Sequence, residues 1–296
     1  MSSKATNLQH VALVLEGGGM RAAHTAGIVA ALIEHEAWFP YVCGLSAGSS
    51  NTVNYIARDA ERTRMCFVDI AGDKRFGGIG SLMHHDGFFN SQWLYDEAIQ
   101  DGTLPMDWNA FQANPIQARI QSFERDTGRT VTWTRQDMTS PLTMARLVRA
   151  SSTMPFVMNP IEVNGQVMLD GGLGTGAGIP LHLAEEDGYE RFFFVGTRPA
   201  GYRKAPMGRG KRGLMRRLCA GQPHLYEALA TRAGRYNAAL DHLDELERVG
   251  RALVVRPETM PIHNTETNVD KLRAVFDQGH ALAEREMDRW LDWLTK

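Results

Sequence analysis

The chain has 296 residues, with 32 Lys and Arg against 34 Asp and Glu, a formal charge of −2. Hydrophobic residues make up 43% and charged residues 22%. This is a globular composition, which excludes a disordered or fibrous chain and gives no support to a nucleic-acid binder working through bulk charge. Three widely spaced cysteines, Cys43, Cys66 and Cys219, exclude a disulfide framework and fit a reducing compartment. The first ten residues lack the apolar stretch of a signal peptide, and no run approaches the roughly 18 apolar residues of a membrane span. The expectation is a cytoplasmic protein.

Residues 11–15, Val-Ala-Leu-Val-Leu, form a short apolar run that suits a strand buried on both faces of a parallel sheet. Glu16, the three glycines Gly17, Gly18 and Gly19, Met20 and Arg21 follow as a turn, and a helix is predicted from about residue 21 to 36. Its small residues Ala23, Ala26, Gly27 and Ala30 recur at helical spacing, so the expectation is a face that sits close on the sheet. A second strand, 41–45, turns through Ser46 into a helix ending near residue 58. Strand–helix–strand–helix implies a right-handed βαβ start.

The middle is less regular. Residues 72–90 read as loop, 116–134 as a hairpin, and 141–150 as a helix with Pro141 in its first turn. A second hairpin, 161–169, turns at Asn164-Gly165, the signature of a type I′ turn, and delivers Asp170, Gly171 and Gly172. Residues 191–196 are a further buried strand. Residues 198–217 carry eight Lys or Arg and no acid, and with interleaved Pro and Gly they read as a basic loop. A long helix at about 224–250, a strand at 252–255 and a C-terminal amphipathic helix complete the chain. The expected architecture is α/β, with a mainly parallel central sheet covered by helices on both faces and a helical C-terminal extension.

Three motifs carry chemistry. Gly44-Leu45-Ser46-Ala47-Gly48 matches G-x-S-x-G, the sharp strand-to-helix turn that presents a serine hydroxyl at a helix N-terminus. The Gly17–Ala22 stretch also fits a dinucleotide fingerprint, but that reading needs an acid at the end of the second strand and finds none. The other reading is an oxyanion hole, with amides of Gly17, Gly18, Gly19 and Met20 facing the site and Arg21 steering an anionic group. Asp170, ending a strand before two glycines, is placed to accept a serine proton. Rivals stay open. A Ser-Asp-His triad has the required order if His182, His224, His242, His263 or His280 serves, and a non-catalytic lipid scaffold is the reading from another class. His84, His85 and Asp86 invite a metal, but their spacing argues against one.

Together the motifs resemble the patatin-like phospholipase family: residues 16–21 its glycine-rich loop, 44–48 its nucleophile elbow, and 170–172 its D-G-G motif. Residues 150–155, with Pro160, are similar to the segment that family places before that motif. Ala22 stands where its last loop glycine is usual, and Met158 where an aromatic is usual. The resemblance implies a three-layer α/β/α fold, a Ser46–Asp170 dyad without catalytic histidine or metal, no cofactor, and a lipid or phospholipid ester substrate. It covers residues 11–183 as a catalytic core, leaving 184–296 as a completion packed on it. The 198–217 segment adds an expected peripheral contact with the inner face of a membrane.

Overall fold

A computed structural model describes residues 10–84 and 87–296. In chain order the elements are β1 (Val11–Leu15), α1 (Ala23–Glu34), β2 (Tyr41–Leu45), α2 (Ala47–Ala57), α3 (Ala60–Phe67), α4 (Ile79–Met83), α5 (Trp108–Ala113), β3 (Gln117–Glu124) and β4 (Thr130–Thr134). Then come α6 (Pro141–Ser152), β5 (Ile161–Val163), β6 (Gln166–Asp170), α7 (Leu181–Glu186), β7 (Arg191–Val195), α8 (Arg209–Leu218), α9 (Pro223–Arg248), β8 (Ala252–Val255) and α10 (Val269–Leu294).

The strands form one sheet in the order β5-β6-β3-β2-β1-β7-β8, with β4 on β3. The run β3-β2-β1-β7-β8 is parallel, and β4, β5 and β6 are antiparallel additions. The apolar alternation of β1 decides which face each residue serves. Val11, Leu13 and Leu15 join α1, α2, α6 and α10 in one core. Ala12 and Val14 face the opposite layer of α7 and α9. The result is helix, sheet, helix, a mostly parallel three-layer α/β fold. The residues after 184 belong to the same sheet through β7 and β8.

Strand β3 acts as a splint. It has three strand partners and only two edges. β4 spans residues 119–123 of β3, overlapping both the β2 register and the β6 register, so β4 holds one edge alone. β2 and β6 therefore share the other edge, running toward each other. Leu45 of β2 pairs with Gln121, and Asp170 of β6 pairs with the next residue, Ser122. The carboxyl ends of two strands distant in sequence thus meet head to head.

Several local expectations are corrected. A tight 3-10 turn, Gly19–Ala22, precedes α1, which starts only at Ala23. The small-residue face of α1 packs not on the sheet but on α10. Gly27 lies against the backbone of Phe276 and His280, and Gly279 against His24 O. The larger residues Ile28, Val29 and Leu32 fill the space over the sheet instead. Having two partners, α1 is buried almost throughout. Residues 198–217 are not loop along their whole length, because α8 takes up the second half. Beyond Pro206 no proline interrupts that run, and Arg, Lys, Leu and Met are good helix formers. Within the segment 72–90, read as loop, α4 forms a short helix. The 161–169 hairpin turns as expected, with φ positive at both Asn164 and Gly165.

Burial on α1 has a pH consequence. His24 is fully buried, both ring nitrogens lack a hydrogen-bond partner among the described residues, and desolvation pushes its pKa down to about 4. The unfolded chain, near 6.5, then holds more protons between these values, so stability falls as pH drops through that window. From about pH 7 to about pH 5 this component is worth roughly 2 kcal/mol. Thermal unfolding at the two pH values should show a smaller gap in Tm for His24→Leu than for the native chain. An equal gap would assign the acid sensitivity elsewhere.

Candidate active site

Ser46 occupies the bend between β2 and α2 at φ 54° and ψ −131°, a left-handed backbone that a side-chain-bearing residue adopts only under strain. Two glycines make the bend fit. A Cβ on Gly44 would come within 2.3 Å of Gly48 O, and one on Gly48 within 2.3 Å of Leu15 O. The hydroxyl is nearly buried, and its Oγ donates to Asp170 Oδ2 at 2.5 Å. Asp170 Oδ1 accepts the Gly172 amide at 2.7 Å, and the Asp170 amide donates to Thr153 O at 2.7 Å. Burial pushes the Asp170 carboxyl above its usual range. Arg232, the Ser46 hydroxyl, the Gly172 amide and Lys204 oppose that rise.

The segment at residues 150–155 ties the two halves together. Ser151 Oγ accepts the Ser46 amide at 2.9 Å and donates to Gln121 O at 2.6 Å. Gln121 Nε2 in turn donates to Gly171 O and Thr175 O, fixing the loop after Asp170. Gly171 is pressed on that same residue, since a Cβ there would lie 2.1 Å from Gln121 O. Sequence reasoning missed Ser151 and Gln121 as individual residues. Their signal was only the resemblance of the segment containing Ser151.

The glycine-rich turn lies beside the serine, with Gly17 in contact with Leu45 and the Ser46 Cβ. Its four expected donors divide in two. The Gly17 amide donates to Gly178 O and the Met20 amide to Asn264 O, both at 3.0 Å. The Gly18 and Gly19 amides have no partner among the described residues, and Gly19 takes φ +56°, where a Cβ would strike Asn264 O. Gly19, Met20, Ser46 and Ala47 open onto a narrow cleft of about 50 Å³, walled by Phe67, Phe76, Phe89, Leu94, Met154 and Met158. The cleft is mostly apolar, with Ser50, Tyr95 and Ser152 also on its lining, and its methionines are adaptable walls.

The opposite flank is charged. Glu16 is buried and accepts the Tyr236 hydroxyl at 2.5 Å and the Thr197 amide at 2.6 Å. Arg21 is largely buried, and desolvation followed by Arg198 lowers its pKa to about 10. Arg232 of α9 donates to Gly172 O at 2.8 Å.

Among the described residues, none of His182, His224, His242, His263 and His280 hydrogen-bonds to Ser46 or Asp170. His182 meets Gln121, His242 meets Glu185 and His280 meets Glu34. Of the residues considered for a metal, His85 and Asp86 lie outside the described residues. Elsewhere, Glu34, His280 and Glu284 bring three ligand atoms within 4.8 Å on the exposed side of α1 and α10, where His280 and Glu34 already pair.

The fold and this site define an α/β protein with a serine elbow, a buried acceptor carboxylate and a glycine-rich amide turn. The chain belongs to the patatin-like phospholipase family, whose model matches residues 13–184. Residues 222–295 match a domain of unknown function, DUF6363, which here comprises the whole of α9, β8 and α10. No curated protein matches the chain. Among solved structures, VipD from Legionella pneumophila has the same fold at 12% identity, covering 95% of this chain and 67% of that one with a TM-score of 0.50.

Proposed function

We propose that the protein is a serine hydrolase of lipid acyl esters, acting through Ser46 and Asp170. Family membership supports lipid acyl hydrolysis in general. The observation that carries the finer reading is the 2.5 Å contact of Ser46 Oγ with Asp170 Oδ2 at a strained elbow. Asp170 takes the hydroxyl proton as Oγ attacks the ester carbonyl. An ordinary aspartate, near pKa 3.9, is a weak base. The upward push from burial narrows that mismatch. The Gly18 and Gly19 amides, both without a partner among the described residues, receive the developing oxyanion, and each such donor is worth about 3 kcal/mol. The proton returns to the leaving alcohol, and water resolves the acyl-enzyme by the reverse path. The apolar cleft beside Ser46 receives the acyl chain.

A panel of uncharged esters, diacylglycerol and phospholipids tests this, with Ser46→Ala as the blank. The native protein should release fatty acid from at least one lipid and the variant from none. Equal release from both would refute the assignment of Ser46.

A peripheral membrane contact fits the same reading. Helix α8 carries five cations and no acid, and Leu214 and Leu218, one turn apart, are 55% and 51% exposed. A basic helix with an apolar edge suits an anionic bilayer surface. Leu214→Gln with Leu218→Gln should reduce co-sedimentation with phosphatidylglycerol vesicles severalfold; unchanged co-sedimentation would remove α8 from the contact. No helix among the described residues is long and apolar enough to cross a membrane. The free thiols Cys43, Cys66 and Cys219 suit a cytoplasmic setting.

A further inference from the structure

Four basic side chains surround the charged flank of the site, and they come from three separate segments. Arg21 follows the glycine turn, Arg198 and Lys204 bracket the stretch after β7, and Arg232 projects from α9. Arg232 reaches the dyad itself: a methyl group placed on Gly172 would touch both its Nη2, at 2.7 Å, and Asp170 Oδ1, at 2.9 Å. Lys204 Nζ lies 3.7 Å from the centre of the Tyr236 ring, and the Arg198 guanidinium 4.3 Å from that of Tyr202. The two rings meet edge to face at 6.1 Å. All four residues are intermediate in exposure, neither fully buried nor fully open to solvent.

Their charge is not answered locally. None of the four makes an ion pair among the described residues, whereas the neighbouring Arg203 and Arg256 engage Asp241, Asp244 and Glu247. Glu16 acts on Arg21 and Lys204, and its two oxygens already accept Tyr236 and Thr197. Arg21 Nε is buried with no hydrogen-bond partner among the described residues. Like charges this close raise one another's energy. Burial first, then Arg232, with Arg21 and Arg198 adding to it and Glu16 opposing, lowers the Lys204 pKa to about 7. Such a shell is stabilised by an anion.

We propose that Arg21, Arg198, Lys204 and Arg232 form a subsite for the phosphate of a net-anionic lipid ester, so that the protein prefers acidic headgroups to zwitterionic ones. This deepens the hydrolase reading and rests on it. The acyl chain enters the apolar cleft and the headgroup phosphate takes the other flank of Ser46. A choline or ethanolamine group would bring a cation up to four basic side chains whose acidic neighbours, Glu16 and Asp170, already hold hydrogen bonds of their own. Phosphatidate or phosphatidylglycerol brings none. The residues that create the preference lie mainly outside the 13–184 match, in the part of the chain that completes the sheet and in α9.

The test is calorimetric binding to full-length Ser46→Ala protein, so that no turnover intervenes. Probes are dihexanoyl phosphatidate, phosphatidylglycerol and phosphatidylcholine below their micellar concentrations, with inorganic phosphate as a separate arm. The two acidic lipids should bind at least about tenfold more tightly than the choline lipid, and Lys204→Met or Arg198→Gln should erase most of that difference. Phosphate should displace the acidic lipids while binding more weakly than they do, which separates a headgroup site from a site for the free ion. Equal affinities, a preference untouched by both variants, or phosphate that binds without displacing lipid would each overturn the subsite. Because binding is read on a protein lacking the nucleophile, this failure is distinct from that of the hydrolase reading. The latter would appear as ester hydrolysis that is the same with and without the Ser46 hydroxyl.

Discussion

Replacing Asp170 by Asn should abolish ester turnover and at the same time raise the melting temperature at neutral pH. Both effects come from one cause. The carboxyl is buried, and desolvation raises its pKa above the unfolded value despite Arg232, Ser46 and Gly172. A group raised in this way favours the folded state while protonated. That contribution is lost as pH climbs through the folded pKa, and at neutral pH the carboxylate is a net burden on stability. Asparagine keeps the acceptor for the Gly172 amide and removes the charge, but it cannot take the Ser46 proton. Losing the base of a nucleophile–base pair typically costs on the order of 10³-fold or more in kcat. Steady-state kinetics and calorimetry on the same preparation check the pair of outcomes. A variant that is inactive but less stable than the native protein would show that the site is not held against its own folding energy.

The second large effect is structural. A Gly279→Ala or Gly27→Ala substitution should destabilise the protein by about 3 kcal/mol or more, lowering Tm by roughly 5 °C or more. In an ordinary helix interior, Gly→Ala gains up to about 1 kcal/mol. Here the added methyl would lie 2.1 Å from a facing carbonyl oxygen, His24 O or Phe276 O respectively. Those atoms belong to helix backbone and cannot rotate aside, so the steric cost exceeds the propensity gain. Helices α1 and α10 would have to separate, and α1 carries the glycine-rich turn at its start. Chemical denaturation measures the loss; a neutral or stabilising result would mean that the two helices part easily.

How much of this was legible beforehand depended on distance along the chain. The βαβ start and the serine elbow announce themselves within a few residues. Apolar β1 is followed by Glu16 and three glycines, β2 carries Gly44 as its penultimate residue, and the contacts that require Gly44 and Gly48 involve the same local turn and its neighbouring strand. The Asn164-Gly165 turn and the strand ending at Asp170 are equally local. The arrangement of β2 and β6 along one edge of β3 has no local signature. It follows from three pairings that converge on residues 117–124. Ser151 and Gln121 act only through that convergence. Arg232 and Tyr236 sit on a segment whose sequence reads only as a long helix, and they become site neighbours when α9 packs beneath the sheet. The small-residue face of α1 was visible as a pattern. Its partner was not, because close packing against a sheet and against a second helix demand the same residues. In the glycine turn, two of the four expected amides are engaged by Gly178 and Asn264, residues far along the chain.

The most direct measurement is covalent labelling with a long-chain fluorophosphonate, read by intact mass and peptide mapping. The native protein should gain one adduct, located on Ser46, at a rate that falls sharply in Asp170→Asn and to nothing in Ser46→Ala. An unlabelled protein that is demonstrably folded, or an adduct on another residue that persists in Ser46→Ala, would contradict the account.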